Sequence, residues 1–327
     1  MSGEAARVLA EADQSAWNGR IAESAAPILG LAHWDGTLYL DRESILDPLQ
    51  HMYEHAGEER PTSTLVIYRE SLATLLHEHA HFLGPFGSSQ EAAREAFTKP
   101  GSRQLEEGVT EAWAQDHLDE YIHRLGIDKV APGIDSVQAS GYYAAFVPAV
   151  RELTSDLESR NDLRQGEVLD LLNRQTAASQ MPLLVTLVYN STRLPDLEPA
   201  GDNTRSRLES ILRSGLEHLD NYELAPPDFA TTNSLSTADQ ILNHLTQEIQ
   251  SAEAAYPSTP PRAIAPPHAD ARTLPPPVPT RDVPSPHQTA LSGLMPPTTT
   301  APPAATHPSP ARSNHSSGSR QALTRTA

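Results

Sequence analysis

Cysteine is absent from the 327 residues, which excludes disulfides, thiolate metal sites and a cysteine nucleophile and leaves the redox compartment open. Aromatic residues are scarce, and none follows Tyr256. The opening segment MSGEAARVLAEADQ has no basic stretch followed by an apolar one, so no secretory signal is expected. Long hydrophobic runs are missing too. The longest, residues 181–189, is interrupted by Pro182 and Thr186 and reaches about half the length of a bilayer span. The expectation is a soluble protein with no membrane partner, cytoplasmic or exported without a recognisable signal peptide.

What is present is unevenly spread. Of 29 prolines, 17 lie in residues 257–327, a stretch with six arginines and two aspartates. Residues 1–256 therefore carry 18 basic and 40 acidic side chains, a net charge of −22. A body of that length can bury a real core. Its acidity argues against nucleic acid as a partner, since phosphate contacts need clustered Lys and Arg. The Pro-rich remainder cannot bury enough apolar surface to offset its ordering entropy. The division expected is a globular unit over 1–256 and a disordered tail over 257–327. Within the tail, Pro276-Pro277-Val278-Pro279-Thr280-Arg281 fits a P-x-x-P-x-R ligand preformed as polyproline II, which offers a tail-binding partner such as an SH3 domain.

Along the body, residues 28–41 read as two apolar runs around Asp35-Gly36, a hairpin signal with a type I′ turn. A helical pattern covers 44–55. From Pro61, the residues Leu65, Tyr68, Leu72, Leu75, Leu76, His79 and Leu83 recur at i, i+3, i+4 and i+7 spacing. The β-branched stretch 64–68 also fits a strand; periodicity favours helix, ended by Gly84-Pro85. Further helices are expected at 90–97, 104–125 (stopped by Gly126), 136–160 (kinked at Pro148), 165–175, 178–192, 204–219 and 236–255. The fold class expected is mainly α (α+β): a small N-terminal antiparallel sheet packed on helices, with a helical C-terminal half over about 136–256. The edge of that sheet is a candidate for binding an extended peptide by strand addition.

His77-Glu78-His79-Ala80-His81 matches H-E-x-x-H on a segment that is helical by independent signals. His77 and His81 stand one turn apart on one face, where both imidazoles reach a single ion. Glu78 lies about 100° round the helix, at the rim of such a site, where it contacts water rather than metal. His79 is about 200° from His77, on the apolar side, and is not a ligand. A catalytic zinc ion needs a third protein ligand and an open position. Leu105-Glu106-Glu107-Gly108-Val109-Thr110-Glu111 offers carboxylates, with Glu107 and Glu111 on one face at i, i+4 spacing. That pair makes sense as a ligand and a residue that orients another ligand.

H-E-x-x-H followed by this Glu-Gly helix resembles the gluzincin zinc metallopeptidases, over about residues 60–125. The resemblance implies a zincin-like fold, zinc (Zn2+) as cofactor, and His77, His81 and Glu107 as its ligands. Glu111 would hydrogen-bond a zinc-binding histidine. Glu106 stands where the aminopeptidase branch has Asn, and is a competing ligand. No motif for holding a substrate amine is present. The implied reaction is metal-assisted hydrolysis of a peptide or protein substrate, with Glu78 as general base. An oxyanion donor from a following helix would be Tyr143, chosen over Tyr142 in Gly141-Tyr142-Tyr143. His117 and His123 are further donors on a polar helix face. Two rival readings are a catalytically idle zinc-binding protein and an interaction protein acting through its Pro-rich tail.

Overall fold

A computed structural model describes residues 1–199 and 201–256, so the expectations of a disordered tail and of a ligand motif at 276–281 lie outside the described residues. The chain begins with helix α1 (Ser2–Leu9) and four short strands, β1 (Gln14–Ser15), β2 (Ile21–Glu23), β3 (Gly30–Ala32) and β4 (Leu38–Leu40). A π-turn at Arg42–Leu46 leads into α2 (Asp47–Glu54) and the long α3 (Thr62–Ala80). After the two-residue β5 (Leu83–Gly84) come α4 (Gln90–Phe97) and the longest helix of this half, α5 (Ser102–Leu125). The second half is helical: α6 (Ile127–Val130), α7 (Val147–Asn161), α8 (Glu167–Asn173), α9 (Ala177–Asn190), α10 (Leu194–Leu197), α11 (Thr204–Glu217) and α12 (Pro227–Ala255). No helix among the described residues is long and apolar enough to cross a membrane.

Residues 64–68 are helical, as periodicity favours: the stripe Leu65, Tyr68, Leu72 and Leu76 is buried in the main core against Leu105, Val109, Ala112 and Trp113 of α5. A continuous apolar stripe outweighs the β-branched bias of single residues. The helix stops at Ala80, earlier than Gly84-Pro85 suggests, because Leu83 and Gly84 pair antiparallel with Ser15 and Gln14. α5 stops at Gly126, whose φ of +69° is a left-handed cap that glycine adopts without penalty.

The 28–41 hairpin forms, but its turn is not type I′. Gly36 N–H donates to the His33 carbonyl and His33 N–H to the Thr37 carbonyl, and in this turn only Gly36 has positive φ. That is a type I turn closed by a glycine bulge; type I′ needs positive φ at both central residues. The sheet is also mixed rather than antiparallel. Its order is β2-β4-β3, with β2 parallel and β3 antiparallel to β4.

Two helix starts move as well. The expected helix at 136–160 starts only at Val147, so Pro148 sits in its first turn, where a missing N–H costs nothing, and kinks no helix. Tyr142 and Tyr143 consequently belong to a loop. α12 begins at Pro227, nine residues before the expected 236, with a proline in its first turn. The weak helix formers that follow are supported by tertiary packing: buried Ser234 accepts the Ala149 N–H near the start of α7.

Gly108 brings α5 and α7 together. A Cβ there would lie 2.6 Å from Val150 Cγ2 and 3.3 Å from Phe146 Cβ. Overpacking costs about 1–3 kcal/mol, more than the roughly 1 kcal/mol that alanine gains over glycine inside a helix. Gly108→Ala is therefore expected to lower Tm, and adding Val150→Ala to recover part of the loss. Calorimetric melts of the two variants check this; a Tm above wild type in Gly108→Ala would show the contact to be loose.

Candidate metal centre

The last turn of α3 and the first turns of α5 face each other through buried polar side chains. His77, Glu78, His81, Glu106, Glu107 and Glu111 are each no more than 5% exposed, so bulk water is excluded from all of them. Buried polar groups persist only when paired or bound. The pairing here has a definite pattern.

His77 Nε2 and His81 Nε2 are 3.1 Å apart. Glu107 Oε2 lies 3.4 Å from the first and 3.3 Å from the second. Each imidazole has a carboxylate on its other nitrogen: Glu111 Oε2 is 2.9 Å from His77 Nδ1, and Glu106 Oε1 is 3.2 Å from His81 Nδ1. In the neutral ring, a carboxylate at Nδ1 favours the proton there and leaves the Nε2 lone pair to the triangle. Two lone pairs and a carboxylate oxygen at these separations repel one another unless positive charge lies between them. A cation held tetrahedrally at about 2.0–2.1 Å from N and O donors needs those donors roughly 3.3 Å apart. The triangle meets that requirement, and among the described residues this trio is the group that could hold a metal ion.

The electrostatics agree. Burial by itself would lower the pKa of His77, yet its hydrogen bonds to Glu107 and Glu111 and the carboxylate charges raise it to about 10. His81 is raised too, against burial, by Glu107 and Glu106. Burial would raise Glu107, but His81 and His77 hold its carboxyl well below the usual carboxylate range. Each of these shifts favours a positive charge beside Glu107.

Around the trio, α5 and the 137–146 loop complete the scaffold. Glu111 Oε1 accepts from Gln115 Nε2 at 2.8 Å and from the Tyr142 backbone N–H at 2.9 Å. Tyr142 thus enters through its backbone. The Tyr143 ring stacks on His77, with centroids 5.7 Å apart and planes 14° apart, and Phe146 stacks on Tyr143 in turn. Arg103 lies over the Phe146 ring at 5.3 Å. Tyr143 has φ +53°, a conformation costly for a bulky residue and concentrated at functional sites. Its buried hydroxyl faces Glu107, and burial together with that carboxylate pushes its pKa well up.

Glu78 leaves the triangle and turns to the sheet, where its Oε2 accepts the Ala32 N–H of β3 at 2.6 Å. β3 is an edge strand, but Gly30 and Ala32 are buried under α3. The open edge expected for strand addition is closed at Ala32. Glu106 Oε1 lies at His81 Nδ1, and Glu106 is outside the trio that could hold a metal ion. His79 packs on the opposite side of α3, its Nε2 2.9 Å from Ser2 Oγ and its ring edge-on to Trp17. His117 stacks on Trp113, and His123 lies at the surface near Asp135. Neither is in the group. Sequence reasoning missed the Ala32 contact and the pairing of Glu106 with His81; a lone glycine inside a strand is the one signal that pointed to a close approach at Gly30.

No family model matches the chain, and no curated protein or solved structure matches it.

Carboxylates that orient metal-binding imidazoles typically contribute about 10–100-fold to metal affinity. With zinc as the probe ion, Glu111→Ala and Glu106→Ala should each weaken binding by about that factor, while Glu107→Ala should remove stoichiometric binding; competition titration with a chromogenic chelator reads all three. Equal affinity in wild type and Glu107→Ala would exclude the trio.

His79 offers a separate test through acid stability. Burial, and then the N-terminal charge, lower its pKa from 6.5 to about 3. The unfolded chain therefore binds a proton that the folded chain refuses, so stability is lost as pH falls below 6.5 and continues to fall towards 3. Between pH 7 and pH 5 this amounts to about 1–2 kcal/mol. His79→Gln should be less stable than wild type at pH 7 yet lose less on acidification, as urea titrations at the two pH values would show.

Proposed function

We propose that the protein is a zinc-dependent hydrolase of peptide bonds with a zincin-like arrangement of its active-site helices. The observation that carries this reading is the triangle of His77 Nε2, His81 Nε2 and Glu107 Oε2, with edges of 3.1–3.4 Å and a carboxylate beside the Nδ1 atom of each imidazole. Those three side chains would hold the ion. When bound, zinc supplies an electrophile that acidifies water and polarises a carbonyl.

Glu78 supplies the proton acceptor. Burial raises its pKa above the ordinary carboxylate value, the direction that suits a base working near neutrality. Its Oε1 is buried without a hydrogen-bond partner, so one oxygen remains to take a proton while the other is held by Ala32. The Tyr143 hydroxyl stays protonated because burial and neighbouring carboxylates raise its pKa, and it can donate to a developing oxyanion. Peptide or protein is the substrate class that fits the resemblance to gluzincins. The acidic body would favour cationic segments of it.

A second reading, a metal site that only stabilises the fold, is favoured by the burial of every member of the site. A base has no role in it. Zinc-loaded wild type and Glu78→Gln, assayed side by side on casein, separate the two. The hydrolase reading expects equal zinc content and Tm, with turnover reduced about 10²–10⁴-fold in the variant. Wild-type protein that holds one zinc and leaves casein intact would favour the structural reading. Loss of zinc in Glu78→Gln would put Glu78 among the ligands.

A further inference from the structure

The contact between Glu78 and β3 is more specific than packing requires. β3 and β4 are hydrogen-bonded at His33–Thr37 and at Leu29–Asp41. Antiparallel pairs alternate between hydrogen-bonded and non-bonded, so Gly30 and Ala32, opposite Leu40 and Leu38, turn their N–H and C=O groups away from β4. That side is the free edge of the sheet. Ala32 is fully buried, and an outward N–H without water must find an acceptor in the protein. Glu78 Oε2 is that acceptor, at the short distance of 2.6 Å that charge-assisted bonds favour.

Gly30 explains how the carboxylate reaches it. A Cβ on Gly30 would lie 2.6 Å from both Glu78 Cγ and Glu78 Oε1, and 2.8 Å from Cδ. Any side chain at position 30 would occupy the space that Glu78 fills. Residues 30 and 32 point the same way from the strand, so one supplies the room and the other the bond. The result is a carboxylate fixed by one oxygen, with Oε1 unbonded.

We infer that strand β3 is a built seat for Glu78, in which the Ala32 N–H and the missing side chain at Gly30 position the carboxylate beside the metal trio. Gly30 and Ala32 are positioning residues: they act through Glu78. The significance for catalysis rests on Glu78 being the base, whereas the seat itself can be tested without metal or substrate.

Amide hydrogen exchange of the full-length protein, resolved by NMR, reads the seat directly. The His33 amide, bonded to Thr37 within the hairpin, serves as the reference in the same strand. A hydrogen bond to a charged acceptor is worth about a 10–100-fold change in protection. Ala32 should lose protection by that factor relative to His33 in both Glu78→Ala and Gly30→Ala. It should keep protection in Glu78→Gln, whose amide oxygen accepts the same bond. Ala32 protection unchanged in Glu78→Ala and Gly30→Ala would overturn the proposal, since burial alone would then explain it. Equal losses at Ala32 and His33 would overturn it as well, because the substitutions would merely have loosened the hairpin. A catalytically silent protein that shows the expected pattern would retain the seat and lose only the hydrolase reading.

Discussion

Everything around the centre follows from one electrostatic constraint. Two imidazole nitrogens and a carboxylate oxygen are held within 3.4 Å of one another, away from water. Such an arrangement is repulsive unless positive charge enters it, and desolvation makes the demand stronger. The surrounding residues resist its relaxation. Glu111 and Glu106 fix the two rings from behind. Glu111 is itself fixed by Gln115 and the Tyr142 backbone, and Tyr143 covers the His77 face. The α3–α5 core of Leu72, Leu76, Leu105 and Val109 keeps the two helices from separating.

Small residues decide where the polar groups can sit. Gly108, next to Glu107, lets Val150 and Phe146 of the neighbouring segment approach α5. That approach brings the Phe146–Tyr143 stack against His77. Gly30 does the equivalent on the sheet side, admitting Glu78 to the edge of β3. The three-stranded sheet is too small to be a core of its own, but it gives α3 a wall with a buried N–H, and that wall holds Glu78 beside the trio without making it a member.

Local rules made the long helices legible. The apolar spacing from Leu65 to Leu76, the glycine stop at 126 and the i, i+4 registers of His77/His81 and Glu107/Glu111 are properties of single helices, and each depends on spacing alone. Features that depend on a second element were harder to read. The early start of α12 depends on Ser234 meeting α7, and the loop at 142–143 depends on Pro148 opening a helix instead of bending one. Nothing near Glu106 distinguishes a ligand from a residue behind a ligand; only the rotation of α5 against α3 turns it to His81 Nδ1. The hairpin was visible from Asp35-Gly36, whereas its turn class and the parallel pairing of β2 with β4 were not, because both are set by chain segments beyond the turn.

The central claim concerns where a cation sits and what holds it. Zinc-edge anomalous diffraction from crystals of the zinc-loaded protein tests it most directly. The account predicts one peak per chain inside the triangle, within about 2.0–2.2 Å of His77 Nε2, His81 Nε2 and a Glu107 oxygen, with Glu106 and Glu111 still on the Nδ1 atoms. A triangle without a peak in zinc-saturated crystals, or zinc bound only elsewhere on the chain, would contradict it.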